Sequence, residues 1–240
     1  MRQSILLLGT AREQSTRVAD KMLRPFAGTT LFDIYLHRLA RLWASGFFSS
    51  YGVAVARSDE RLWTCAEASQ VPIIERDEQS AAPEIQPRGR ELHFLDRFRE
   101  THVCYVNACM PMFPDNAILD MVWEFGRDDA VSATMRRRVQ DWFYEEDGTP
   151  INNPDPRCLA SQGCPPLLRA VHAANIYPRE RMLRQNTRWF LVDRDPIVHD
   201  VDLPYWQMMD VDDEDDLEAC EREYIYRAGR SDVPCGSLSS

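Results

Sequence analysis

Several common features are scarce in this chain, and each scarcity excludes something. No apolar run approaches the ~20 residues that span a bilayer, so a membrane protein is not expected. The apolar stretch after Met1-Arg2-Gln3-Ser4 is too short for a secretory signal core and lacks a small-residue cleavage site; it reads as a first buried strand. Lysine and arginine number 28 against 38 acidic residues, a formal net charge of −10. That balance argues against broad nucleic-acid binding, which needs a basic face to displace counterions. Seven cysteines, an odd number, include no CxxC pair. Neither a zinc site nor a disulfide framework is indicated, and reduced thiols in a cytoplasm are expected. Five histidines stand in no Ser–His or Cys–His pattern of the kind nucleophilic catalysis uses. The polar stretch after the first strand holds Gly9 as its only glycine, so it is neither a P-loop nor a GxGxxG turn.

What is present is an alternation of strands and helices. With 240 residues, 44% hydrophobic and 28% charged, the chain can build one α/β domain with a substantial core. Ser4–Leu8 is a continuous aliphatic run, as in a strand covered on both faces. Leu31, Tyr35, Leu39 and Leu42 recur at helical spacing, with Thr29 or Thr30 as cap. Tyr51–Ala56 and Val71–Ile74 read as strands around a short helix capped by Ser58-Asp59. A polar loop over 77–90 follows. Then come a helix over Glu91–Glu100, a strand Val103–Val106, a helix opened by Pro114-Asp115 and a strand Ala130–Met135. This order predicts a mostly parallel, Rossmann-like sheet with helices on both faces. Asp147-Gly148 and the Asn152–Pro156 cluster mark turns, so 142–168 is expected to be an insertion that supports a homodimer. A helix near Pro178–Arg184, a strand at Trp189–Val192, a strand ending at Asp212 and a helix Asp213–Ala228 complete a single domain over 1–230. Residues 231–240 read as a flexible tail.

Ligands of open α/β sheets bind beyond the carboxyl ends of strands, and there the chain concentrates its cations. Ala11-Arg12-Glu13-Gln14-Ser15-Thr16-Arg17-Val18-Ala19-Asp20-Lys21 offers two guanidiniums, an ammonium and a hydroxyl, a kit suited to a triphosphate. A solvated basic loop, half neutralised by Glu13 and Asp20, is the other reading.

A second cluster, Met209-Asp210-Val211-Asp212-Asp213-Glu214-Asp215-Asp216-Leu217, divides in two. Asp213–Asp216 suit the cap and first turn of a helix. Asp210 and Asp212, alternating with Met209 and Val211, are expected on one strand face. Paired carboxylates at that spacing suit Mg²⁺ bound together with phosphate.

The first cluster resembles the signature A-R-x-x-S-[KT]-R-[LIV]-x-x-K of the acylneuraminate and Kdo cytidylyltransferases, through Ala11, Arg12, Ser15, Thr16, Arg17, Val18 and Lys21. The similarity continues over Leu23-Arg24-Pro25-Phe26-Ala27-Gly28 and Leu31. Thr16 is the Kdo-like choice, while Ala19 and Met22 depart from the usual proline and asparagine. The second cluster is similar to the closing D-I-D-T-x-E-D-L, with Asp210, Asp212, Asp216 and Leu217 aligned. The resemblance implies a nucleotide-diphospho-sugar transferase type of fold and a transfer of CMP from CTP to a small acidic acceptor. Ala11, Arg12, Ser15, Arg17 and Lys21 would bind CTP, with Arg12 and Lys21 foremost, and Asp210 and Asp212 would hold Mg²⁺.

Between the motifs the signals are weaker. Val106-Asn107-Ala108-Cys109-Met110-Pro111 is similar to the family's acceptor-side Q-P-T-S-P, with Asn107 in place of the glutamine. Asn107 is therefore an acceptor candidate or a plain turn former. Arg136 and Arg138, from Arg136-Arg137-Arg138, could hold an acceptor's carboxylate or phosphonate, or be exposed edge charges. His172 lines the acceptor or packs. Ser80 falls near the expected ribose and base contacts, and Asp59 is expected only to cap its helix. Sugar acid and phosphonate acceptors both stand. So does a nucleotide-binding regulatory protein without turnover, although paired aspartates speak against it. A glycosyltransferase would carry a mid-chain DxD, which is missing.

Overall fold

The computed structural model describes residues 4–77, 92–127, 130–153, 155, 157, 160–185 and 197–230. Ser80, the strand expected at Trp189–Val192 and the 231–240 tail lie outside them. Among the described residues, seven strands form one sheet: β1 (Ile5–Thr10), β4 (Ser50–Ala56), β5 (Ile73–Arg76), β6 (His102–Val106), β7 (Ala133–Val139), β8 (Leu167–Pro178) and β9 (Ile197–Asp200), in the spatial order β5-β4-β1-β6-β8-β7-β9. Every strand runs parallel to β1 except β8, which pairs antiparallel with β6 and β7. A two-stranded ribbon, β2 (Pro25–Phe26) and β3 (Thr29–Thr30), stands apart. The mostly parallel, Rossmann-like α/β sheet is thus present.

Its helices are α1 (Leu31–Ala44), α2 (Glu60–Ala68), α3 (Asp115–Arg127), α4 (Arg179–Gln185) and α5 (Glu214–Ala228). The buried face of α1 carries Leu31, Phe32, Tyr35, Leu36, Leu39 and Leu42, the 3.6-residue stripe a core-facing helix needs. Thr30 caps it, its hydroxyl accepting from Asp33 N at 3.0 Å. Leu6, Leu7 and Leu8 are fully buried, because both faces of β1 are covered: one packs with the α1 and α3 side, the other with Phe94, Leu95 and Met182.

The chain leaves β1 toward β4 and β5, then returns to place β6 on the other side. The switch point of the sheet is therefore the gap between β1 and β6, where ligands of such sheets bind. Tyr35 bridges that gap, its hydroxyl donating to Val106 O at 2.7 Å and accepting from Thr10 N at 3.2 Å. Gly9 makes room for it; a Cβ there would lie 2.7 Å from the tyrosine oxygen.

Four sequence expectations need correction. The helix expected over Glu91–Glu100 is a short 3-10 turn at His93–Arg97. The strand expected to close at Met135 starts later and runs on through the arginines to Val139. The antiparallel strand β8 was not expected. The segment before α5 is not a strand: a 3-10 turn, Tyr205–Met208, leads into an irregular stretch. Between β7 and β8 the chain makes a hairpin, with a bridge between Tyr144 and Pro150 and Gly148 at φ 85.

Candidate active site

Beyond the carboxyl ends of β1 and β6 opens a cavity of about 360 Å³. The basic loop contributes Ala11, Arg12, Ser15, Arg17 and Lys21 to its lining; Arg76, Asn107, His172, Asp210 and Asp212 line it too. The loop holds its shape without a glycine run because its apolar residues are anchored. Val18 is fully buried, and Ala11 and Met22 nearly so. Arg12, Gln14, Ser15, Thr16, Arg17 and Lys21 line the cavity, whereas Glu13, Ala19 and Asp20 line a recess outside it. Arg76, closing β5, braces the loop's start by donating Nη2 to Ala11 O at 2.6 Å.

Lys21 is not the exposed loop residue its polar neighbours suggest. It is 9% exposed, and its Nζ donates to Val211 O at 2.7 Å. That carbonyl lies between Asp210 and Asp212, so the ammonium ties the basic loop to the acidic segment. Val211 N donates to Cys109 O at 2.8 Å, fixing the same segment to the turn after β6. Two backbone anchors therefore bring Asp210 and Asp212 to one cavity, where the sequence invoked a strand.

The two carboxylates have different surroundings. Asp210 Oδ2 accepts from Asn107 Nδ2 at 3.3 Å, while its Oδ1 is buried with no hydrogen-bond partner. Burial, then the neighbouring charge of Asp212, pushes the Asp210 carboxyl up to about 6. An unsatisfied buried carboxylate oxygen is costly unless a proton or cation meets it. Asp212 is half exposed and takes the guanidinium of Arg17 at 2.7 Å. The following acids do other work. Asp213 caps α5 in a reciprocal capping box with Asp216, as the division of the acidic run anticipated.

Asn107 is the turn former that was one of its two readings. Its Oδ1 accepts from Cys109 N at 2.9 Å, forming the turn, and its amide faces Asp210. His172 lines the cavity from β8; burial, then the charge of Arg169, holds its imidazole below the ordinary histidine range.

A second cavity of about 240 Å³ adjoins the first and shares His172, Asp210 and Asp212 with it. Its cations are Arg137 and Arg169, which sit directly opposite each other in the β7–β8 register and hence on one sheet face. Arg136 and Arg138 alternate to the other face; Arg136 pairs with Asp200 at 2.6 Å. The structure therefore brings Arg12, Ser15, Arg17, Lys21, Asn107, His172, Asp210 and Asp212 together, and places Arg136 and Arg138 elsewhere. Asp59 does not cap α2 through its side chain; it accepts from Glu13 N at 3.1 Å.

A switch-point cavity with a basic loop and paired aspartates in its lining, in this sheet order, defines a Rossmann-like α/β fold with its ligand site at the carboxyl ends of β1 and β6. Solved structures agree. CMP:2-keto-3-deoxy-manno-octonic acid synthetase complexed with CTP aligns with a TM-score of 0.65 at 13% identity, covering 95% of this chain and 100% of its own. The 4-diphosphocytidyl-2C-methyl-D-erythritol synthase of Anaerococcus prevotii DSM 20548 aligns with a TM-score of 0.65 at 11% identity, covering 93% and 99%. At these identities the likeness establishes the fold. No family model matches the chain, and no curated protein sequence matches it.

Proposed function

We propose that the protein is a cytidylyltransferase that transfers CMP from CTP to a small acidic acceptor and releases pyrophosphate. The observation that carries this reading is the pair of cavities meeting at Asp210, Asp212 and His172, with Arg12, Arg17 and Lys21 lining one and Arg137 and Arg169 the other. Both fold neighbours bear the names of cytidine-nucleotide enzymes, and one was solved with CTP. An acceptor oxygen would attack the α-phosphorus of CTP; the new P–O bond forms as the bond to pyrophosphate breaks.

Arg12, Ser15 and Arg17 would bind the phosphates. Lys21 would add positive charge there while its bond to Val211 keeps the aspartates in place. Work of this kind is positioning and electrostatics. The orphaned Oδ1 of Asp210 beside Asp212 fits a divalent cation such as Mg²⁺. Such an ion would supply charge stabilisation at the phosphates, and the remaining ligands of a six-coordinate ion would come from phosphate and water.

Arg137 and Arg169 fit an acceptor carboxylate or phosphonate, and both acceptor classes remain in the reading. The half-exposed Trp142, Tyr144, Ile151 and Leu168 on and beside the β7–β8 extension suit a homodimer contact, testable by light scattering of wild type against Trp142→Asp. The functional test is pyrophosphate release from CTP and Mg²⁺ with a panel of keto-sugar acids and phosphonates. No release with any acceptor, or equal turnover of ATP, would count against the reading.

A further inference from the structure

The basic loop contains its own opposition. Among its three cations stand two carboxylates, Glu13 and Asp20, which would repel a bound triphosphate. Arg61, in the first turn of α2, meets both. Its Nε donates to Glu13 Oε2 at 2.8 Å and its Nη2 to Asp20 Oδ1 at 2.7 Å. Its backbone N–H donates to Glu13 Oε1 at 2.8 Å. Asp59, buried at the start of the same helix, takes the Glu13 N–H. The 59–61 segment thus holds the loop at its entry and at its exit.

The exit needs holding. Asp20 has φ 53, a conformation that L-residues other than Asn and Asp seldom adopt. Its carbonyl accepts from Leu23 N at 2.8 Å and Arg24 N at 3.0 Å, closing the turn that brings Lys21 inward. Arg61 secures the side chain of that turning residue. It lies on the loop's outer face, lining a shallow recess with Glu13, Ser15, Thr16 and Asp20, and is absent from the wall of the 360 Å³ cavity. Its hydrogen bond to Asp20 holds that carboxyl below the ordinary aspartate range, consistent with a charge already matched.

We propose that Arg61 is a positioning residue for the triphosphate: it pins both ends of the phosphate loop and pairs with the two carboxylates inside it, offsetting their repulsion, without touching the nucleotide. This inference rests on the nucleotide reading above.

The experiment compares wild type, Arg61→Ala, Arg61→Lys and the triple variant Glu13→Gln/Asp20→Asn/Arg61→Ala. Each is titrated calorimetrically with CTP and Mg²⁺ and assayed for pyrophosphate release. Arg61→Ala should raise the Kd and KM for CTP about 10-fold, while kcat at saturating CTP stays within about two-fold. Arg61→Lys should recover part of the loss, since one ammonium does not bridge two carboxylates as a guanidinium does. The triple variant should bind CTP more tightly than Arg61→Ala, because the acids left unmatched by the single change are gone.

A folded Arg61→Ala that binds CTP as wild type does would overturn the proposal. So would a triple variant no better than Arg61→Ala, or a loss confined to kcat. Arg61→Gln carries the same comparison if the alanine variant does not fold. Wild type failing to bind CTP would remove the nucleotide reading itself, whereas wild-type binding beside an unaffected Arg61→Ala removes only the role of Arg61.

Discussion

The two sides of the aspartate pair are built in different ways. On the side proposed for the nucleotide, one contiguous segment supplies Arg12, Ser15, Arg17 and Lys21, anchored from beneath by Val18 and Met22 and from behind by Arg61 and Arg76. On the side proposed for the acceptor, Arg137, Arg169 and Tyr205 come from three separate elements. They meet only because β7 and β8 pair in one register and the chain before α5 folds back. A contiguous, anchored segment fixes its chemistry locally. A surface assembled from separate elements can change its acceptor by changing one residue at a time.

The seam between the sides should be the most sensitive place. Asp210→Asn and Asp212→Asn should each cut pyrophosphate release at least about 100-fold while melting curves show the fold kept. Lys21→Ala should come next. Because the ammonium is buried and bonded to Val211 O, its removal should lower stability by about 2 kcal/mol, measured by urea unfolding, and slow turnover as the aspartates lose their tether. A variant of unchanged stability would show that the tether holds nothing.

The acceptor side gives the sharper contrast between neighbours. Arg137→Ala should raise acceptor KM about 10-fold. Arg136→Ala, on the opposite sheet face, loses an exposed pair with Asp200 worth about 0–1 kcal/mol and should leave KM unchanged. Equal effects would mean that the β7 register does not select the acceptor arginine.

The smallest effect concerns pH. The Asp210 carboxyl sits at about 6 in the fold against 3.8 for the ordinary side chain, so the folded chain holds this proton more tightly than the unfolded one. Its contribution to stability is fully present below 3.8 and disappears as pH rises through 6. Without divalent metal, wild type should therefore lose about 2 kcal/mol relative to Asp210→Asn between pH 4 and pH 7, read from paired unfolding curves. A flat difference would show that burial does not perturb this carboxyl.

The same contrast governs what the sequence revealed. The loop's residues stand together, so a resemblance to a known signature could single them out, and the same resemblance singled out the distant aspartates. The strand invoked to align Asp210 and Asp212 was not needed, because Lys21 and Cys109 anchor the backbone between them. The acceptor side stayed hidden. β8 is rich in alanine and polar residues, weak strand formers, and without it the parity that selects Arg137 over Arg136 and Arg138 is invisible. A charged residue closing the apolar run at Ile74 was the available clue to Arg76. Arg61 offered no clue, since its role depends on where α2 packs.

The central claim is that the aspartate pair divides a nucleotide cavity from an acceptor cavity. Calorimetric titration of CTP with Mg²⁺ into wild type, Lys21→Ala and Arg137→Ala tests it most directly. The account predicts that Lys21→Ala weakens CTP binding by about 10-fold or more and that Arg137→Ala binds as wild type does. Equal weakening in both variants, or undiminished binding by Lys21→Ala, would contradict it.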